Sequence, residues 1–255
     1  MAYDKQKVID IALGEEGYLE KETNSSLDSK TGNAGDENYT KYARDLAAVS
    51  FFNGSKTGKA WCAVYVAWCV YKAFGKEAAL KLLCQPTTDN CGAGCEYIYR
   101  YFKAKKQWHT SNPQAGDVIV FWDSKKKTRS HTGWVYKVDG SKVYTIEGNT
   151  SGASGVIDNG GGVFRKSYSL SYSRIAGYGR PDWGMEAVNT SSNASNTSSK
   201  TSTSDKVYAV KKGDSLWTIS KKYLGSGTRY KEIMQLNDLK SALIRIGQKL
   251  KLPKK

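Results

Sequence analysis

The chain has 255 residues, 39% of them apolar and 12% aromatic. That suffices for one medium and one small packed domain, excludes a wholly disordered polymer, and no run approaches the roughly 18 apolar residues of a membrane helix. The formal charge of +15 is uneven: residues 206–255 hold 13 Lys and Arg against 3 acids, so the C-terminal end invites a polyanionic partner such as nucleic acid, teichoic acid or anionic lipid.

The first residues, MAYDKQKVIDIALGEEGY, place Asp10 inside their only apolar stretch. They lack the apolar core of a signal peptide, so the expectation is a protein that stays in the host cytosol until released. Tyr3 to Leu13 has the spacing of an amphipathic helix, residues 23–38 read as a polar loop, and Tyr39 to Val49 is compatible with a helix. Trp61 to Phe74 is apolar on all sides, which predicts a buried helix stopped by Gly75. Tyr97 to Ala104 reads as a further helix.

After Pro113 the pattern changes to short β-branched and aromatic runs: DVIVFW, HTGWVYKV, KVYTIEG and more over residues 163–180. Asp139-Gly140 is a hairpin signal between the second and third runs. Helices followed by antiparallel strands predict an α+β domain over residues 1–185. Residues 189–204, NTSSNASNTSSKTSTS, contain fourteen Ser, Thr or Asn in sixteen positions, so 186–205 reads as a flexible linker. Residues 206–255 read as strand (Val207–Val210), helix capped by Asp214 or Ser215, helix (Arg229–Leu236) and strand (Ile246–Leu252), a βααβ module without cysteine.

Five cysteines and two histidines carry the chemical signal. Cys62 stands at the first turn of the buried helix, where free N–H groups and the helix dipole favour a thiolate. Cys69 lies two turns deeper and reads as core. His131 begins a strand, and the hairpin brings it within reach of Glu147 and Asn149, which an alternating pleat puts on one face. A thiol, a base and an acid or amide that orients the base are the parts of a cysteine hydrolase. Cys84, Cys91 and Cys95 could join His109 in a zinc site, but their spacing lacks a tight knuckle; a disulfide or plain buried thiols fit better. Trp217 reads as core of the small module.

WCAVYVAWC, QAGDVIVFW, SHTGWV and IEGNTSG together resemble the CHAP family of cysteine- and histidine-dependent amidohydrolases and peptidases. The resemblance implies a papain-like fold in which helices pack on an antiparallel sheet. It also implies Cys62 as nucleophile, His131 as base, Glu147 as its orienting acid and Asn149 as an auxiliary. Trp61 stands where many members have a Gln that helps form the oxyanion hole. Some members bind calcium in an Asp-rich loop before the cysteine. GSKTGKAW has no acid, and Asp28, Asp36 and Glu37 upstream leave calcium possible but unsupported; no other cofactor or metal is expected.

YAVKKGDSLWTISKKY, QLN at 235–237 and IRIGQKLKLP resemble LysM, a module that binds N-acetylglucosamine in peptidoglycan and chitin. The resemblance assigns sugar contacts to Gly213, Asp214, Ser215 and Leu216, and to Leu243, Ile244, Arg245 and Ile246. The implied protein is an endolysin-like hydrolase of an amide bond in bacterial peptidoglycan, most simply an N-acetylmuramoyl-L-alanine amidase. A peptide-bond endopeptidase and a non-catalytic wall binder are the alternatives. A monomer that neither binds nucleic acid nor inserts into membranes is expected.

Overall fold

A computed structural model describes residues 2–86, 91–185, 206–210, 214–224, 229–237, 239, 244 and 247–253. The chain divides into two compact units, Met1–Thr190 and Ser191–Lys255. The expected linker, 186–205, lies outside the described residues.

In the first unit, α1 (Lys5–Gly14) starts where Asp4 accepts a hydrogen bond from Gln6 N at 2.9 Å. Likewise α2 (Lys41–Ala48) starts at Thr40, whose Oγ1 accepts from Ala43 N at 3.2 Å. The third helix, α3 (Cys62–Phe74), is buried along most of its length. It packs against α1, α2 and the strands β3 and β4 described below. α3 stops at Gly75 as expected, with a φ of +83°, and a separate helix not foreseen in the sequence, α4 (Lys76–Leu82), begins at the next residue. KEAALKL is built of strong helix formers, so the chain resumes a helix once glycine has changed its direction. α5 (Cys95–Ala104) begins two residues before the expected Tyr97, so its first turn carries Cys95 and Glu96.

Six strands follow: β1 (Trp108–His109), β2 (Val118–Asp123), β3 (Thr128–Asp139), β4 (Lys142–Thr150), β5 (Gly162–Ser169) and β6 (Ile175–Gly179). They form one antiparallel sheet in the order β1-β6-β2-β3-β4-β5. Along β2 the side chains alternate as a pleat requires. Val118 and Val120 join the large core shared with the helices, while Ile119 and Phe121 join a smaller cluster with Val135, Val143 and Tyr168. His109 lies in β1 and pairs with Tyr178 of β6.

Asp139 pairs with Lys142, so the hairpin turn is Gly140–Ser141, one residue later than the Asp139-Gly140 reading. Gly140 supplies a positive φ of +56° at the first turn position. Helix and sheet approach closely at Gly148, where a Cβ would lie 2.6 Å from Tyr65 Cγ and 2.8 Å from Trp61 Cζ3. Residues 23–38 are not a free loop. Lys21 bridges to Ala34 and Tyr39, Leu19 bridges to Gly162, and Tyr18 OH donates to Leu27 O at 3.0 Å.

In the second unit, β7 (Lys206–Ala209) pairs antiparallel with β8 (Lys249–Leu252), with α6 (Leu216–Leu224) and α7 (Tyr230–Leu236) between them in sequence. Val210, Leu216, Ile219, Leu224, Ile233, Leu250 and Leu252 form its core. At the start of α6, Ser215 N donates to Thr218 Oγ1 at 2.9 Å and Thr218 N returns a bond to Ser215 Oγ at 3.1 Å, a reciprocal cap. Asn237 explains the QLN motif. Its amide donates to Ile233 O at 2.7 Å and Lys251 O at 2.8 Å, and its Oδ1 accepts from Lys251 N at 2.7 Å. One side chain thus ties α7 to β8.

Candidate active site

The thiol comes from the first residue of α3. Its N-cap, Trp61, offers no side-chain acceptor, so the first-turn N–H groups stay available. The base comes from β3, where the pairing with β2 shifts register: Phe121 faces His131 and Trp122 faces Arg129, leaving Ser130 as the extra residue. The acid comes from β4. Glu147 Oε2 accepts from His131 Nε2 at 2.9 Å, and both side chains are fully buried. Two more donors hold the same carboxylate: Thr145 Oγ1 at 2.5 Å to Oε1, and Tyr168 OH at 3.2 Å to Oε2. Glu147 is therefore fixed by three bonds from three strands.

Gly133 makes room for this contact. A Cβ there would lie 2.5 Å from Glu147 Cγ and 2.9 Å from Ile146 O. Because a carboxylate only accepts, Nε2 carries a proton, which leaves Nδ1 to serve the thiol. Nδ1 is buried and has no hydrogen-bond partner among the described residues. Cys62 and His131 nevertheless polarise one another. Burial alone would depress the imidazole, but the Cys62 sulfur and the Glu147 carboxylate outweigh it and push His131 up to about 10. The Cys62 thiol is held well below the usual thiol value, first by a hydrogen bond from Cys95 and then by His131, against the opposing effect of burial. Cys62 keeps 6% exposure while His131, Glu147 and Asn149 keep none.

Asn149 is placed differently from the other three. The register shifts between Glu147 and Thr150, and Asn149 takes a φ of +58°, which interrupts the alternation expected to align it with Glu147. Its Oδ1 and Nδ2 are buried without a hydrogen-bond partner, so it does not bond His131. A buried amide with free donor and acceptor is costly unless something else uses it. Trp61 is turned into the core, where its Nε1 donates to Glu20 Oε2 at 2.6 Å. Its indole N–H is therefore committed, and the backbone N–H of Cys62 is left as the donor for an oxyanion. Glu20 is itself buried, which raises its pKa.

Sequence reasoning missed Thr145, Tyr168, Gly133, Glu20 and Cys95. Thr145-x-Glu147 has the period of one strand face and was readable; Tyr168 needed the β4–β5 register, and Glu20 needed the fold. Cys69 is fully buried as expected, and burial drives its pKa well up. All five thiols are free. The three later cysteines do not gather around His109. Cys84 Sγ donates to Gln107 Oε1 at 2.5 Å, Cys91 Sγ to Gln85 Oε1 at 3.0 Å, and Cys95 Sγ lies 3.8 Å from Cys62 Sγ.

Among the described residues one group of three potential metal ligands converges, the exposed carboxylates of Glu22, Asp36 and Glu37. Asp28 has left that loop to pair with Arg44 at 2.8 Å and 2.9 Å. An all-oxygen set fits a hard cation such as calcium. A cavity of about 690 Å³ is lined by Phe51, Phe52, Lys76, Leu80 and Cys91 among others, and by none of the four expected catalytic residues.

Of the expected sugar contacts, Gly213, Leu243, Arg245 and Ile246 lie outside the described residues. Tyr208 OH donates to Asp214 Oδ2 at 2.6 Å, which steadies the loop, and Ser215 caps α6. The Leu216 side chain is in the core at 2% exposure, so only its backbone can face a ligand; Ile244 packs at the core's edge. Trp217, expected in the core, is 48% exposed because α6 turns Leu216, Ile219 and Ser220 inward and leaves Trp217 on its outer face.

Residues 53–149 match the model of the CHAP domain and residues 208–253 that of the LysM domain. Over 139 residues, 53% of this chain and 40% of the relative, the sequence is 32% identical to N-acetylmuramoyl-L-alanine amidase sle1 of Staphylococcus epidermidis. Over 45 residues, 18% of this chain and 13% of the relative, it is 60% identical to the probable peptidoglycan endopeptidase LytE of Bacillus subtilis. The chain thus spans less than half the length of the curated relatives it matches. Among solved structures, the crystal structure of Ly7917 aligns over 69% of this chain and 62% of its own, with 14% identity and a TM-score of 0.41.

Proposed function

We propose that this chain, which joins a CHAP domain to a LysM domain, is a peptidoglycan hydrolase that cuts an amide bond as an N-acetylmuramoyl-L-alanine amidase. The observation that carries the reading is the line from Cys62 at a helix start, through His131, to a Glu147 held by three donors. In this reading Cys62 attacks the amide carbon as a thiolate. The backbone N–H of Cys62 receives the developing oxyanion. His131 gives its proton to the leaving amine, then takes one from the water that hydrolyses the thioester. Glu147 keeps the imidazole in the tautomer that points Nδ1 at the sulfur. The LysM unit holds the chain on glycan, and tethering raises the local concentration of the catalytic unit over its substrate.

The amidase reading is favoured over the endopeptidase because the match to the amidase is three times longer than the match to the endopeptidase. Mass spectrometry of wall digests tests it. Free stem peptides beginning with L-alanine, together with bare glycan, are expected. Stems cut internally or at a cross-bridge, still attached to muramic acid, would replace amidase by endopeptidase.

A further inference from the structure

Cys62 and Cys95 are each the first residue of a helix, α3 and α5, and both are buried. Their sulfurs lie 3.8 Å apart, within hydrogen-bond reach for this atom type. The residue before each helix, Trp61 and Gly94, provides no side-chain cap. Two uncapped helix starts, each with a partial positive charge, therefore converge on one pair of sulfurs. A negative charge on either sulfur is favoured there, but two would repel at this distance. His131 decides between them, because its imidazolium polarises Cys62.

We propose that Cys95 is a positioning residue for the nucleophile: its S–H donates to Cys62 Sγ and holds that sulfur as a thiolate facing His131. The proposal rests on Cys62 being the nucleophile. It agrees with the opposite displacement of the two thiols, Cys62 well below and Cys95 well above the usual value, each with the other as its foremost cause. The other groups that act on the pair are His131 on β3, the backbone N–H of Ala63 on α3, and Asp158, whose charge raises Cys95. Glu147 acts through His131. Neither Ala63 nor Asp158 supplies a mobile proton to the sulfur. Among the described residues that act on the pair, Cys95 is the one besides His131 whose side chain can donate to that sulfur.

The consequence is a division of labour. His131 must give its proton to the leaving amine, and at that moment a thiolate stabilised by His131 alone would lose its counter-charge. A neutral thiol donor stays in place through the cycle and keeps the sulfur a competent leaving group when the tetrahedral intermediate collapses to free acid.

The test is the pH dependence of Cys62 alkylation by iodoacetamide in the full chain, read by mass spectrometry of fragments that separate Cys62 from Cys69. Cys95→Ala, and Cys95→Val as a second donor-free variant of nearer volume, are expected to slow alkylation of Cys62 at mildly acid pH by about 10- to 100-fold, the strength of a hydrogen bond to a charged group. At high pH, where any thiol ionises, the rates should converge. Cys95→Ser retains a donor and is expected to recover most of the parent profile. A parent-like profile in whichever donor-free variant folds, or a Cys95→Ser profile no better than theirs, would overturn the proposal. Alkylation needs no substrate, so it tests Cys95 even if wall digestion were to show another nucleophile; Cys62→Ala in a wall assay tests that separately.

Discussion

At the scale of single residues, the geometry of the triad depends on a position with no side chain. Gly133 sits against Glu147 Cγ and the Ile146 carbonyl, and the latter is backbone that cannot swing aside. Gly133→Ala is expected to displace Glu147 and lower kcat on wall substrate by about 100-fold, the cost of misplacing a catalytic group by about an ångström. Steady-state kinetics on a folded variant checks this; unchanged kcat would show that Glu147 has room to spare. The pH profile follows from the same residues. In the proposed mechanism Cys62 works as thiolate and His131 as imidazolium, so activity needs a pH above the lowered thiol value and below the raised imidazole value. The acid limb of kcat/KM should lie well below the ordinary thiol range and the alkaline limb near 10, both belonging to the pair. An alkaline limb near 7 would mean a neutral histidine and a different resting state. Cys62, His131 and Glu147 were legible in sequence because their order and spacing are local features of a helix start and a hairpin. Asn149 was legible as a residue but not as a geometry, since a left-handed backbone inside a strand leaves no trace in a pattern of alternation.

Among the elements, the sheet is stapled at one end by Asp117 and Arg180. The first precedes β2 and the second follows β6, and the guanidinium makes two bonds of 2.8 Å to the carboxylate. Asp117 Oδ2 also accepts from Gln114 N at 2.8 Å, which fixes the turn leading into β2. The acid in AGDVIVFW is therefore structural. Asp117→Ala is expected to cost about 2 kcal/mol, the worth of hydrogen bonds to a charged group, with wall-lytic activity kept below the new Tm. Denaturant unfolding checks it; a loss under ~0.5 kcal/mol would show that Gln114 and Arg180 find water instead. Helices α1, α2 and α3 and strands β2 to β4 were readable because periodicity and caps agree there. α4 was hidden behind Gly75, which reads equally well as the end of a helix and as a corner between two. β1 was hidden because two residues carry no period, and its partner lies some 70 positions away. Trp217 was misread because one aromatic in an amphipathic run does not reveal which side of the helix it occupies.

For the whole molecule, a division into two parts was visible in composition, since a sixteen-residue stretch with fourteen Ser, Thr or Asn can hold no core, and the chain does divide into two compact units. A chain ending at residue 190 retains the whole first unit. It is expected to sediment with purified walls at least ~100-fold less avidly than the full chain while cutting small soluble muropeptides at the same rate, as loss of a tether requires. Equal sedimentation would place wall affinity in the first unit instead.

The central claim is that Cys62 performs the chemistry. Turbidity of a Gram-positive wall suspension treated with the parent and with Cys62→Ala tests it most directly. Clearing slowed by at least about 1,000-fold in the folded variant, with binding to walls unchanged, is the predicted result. Clearing at the parent's rate would contradict the account.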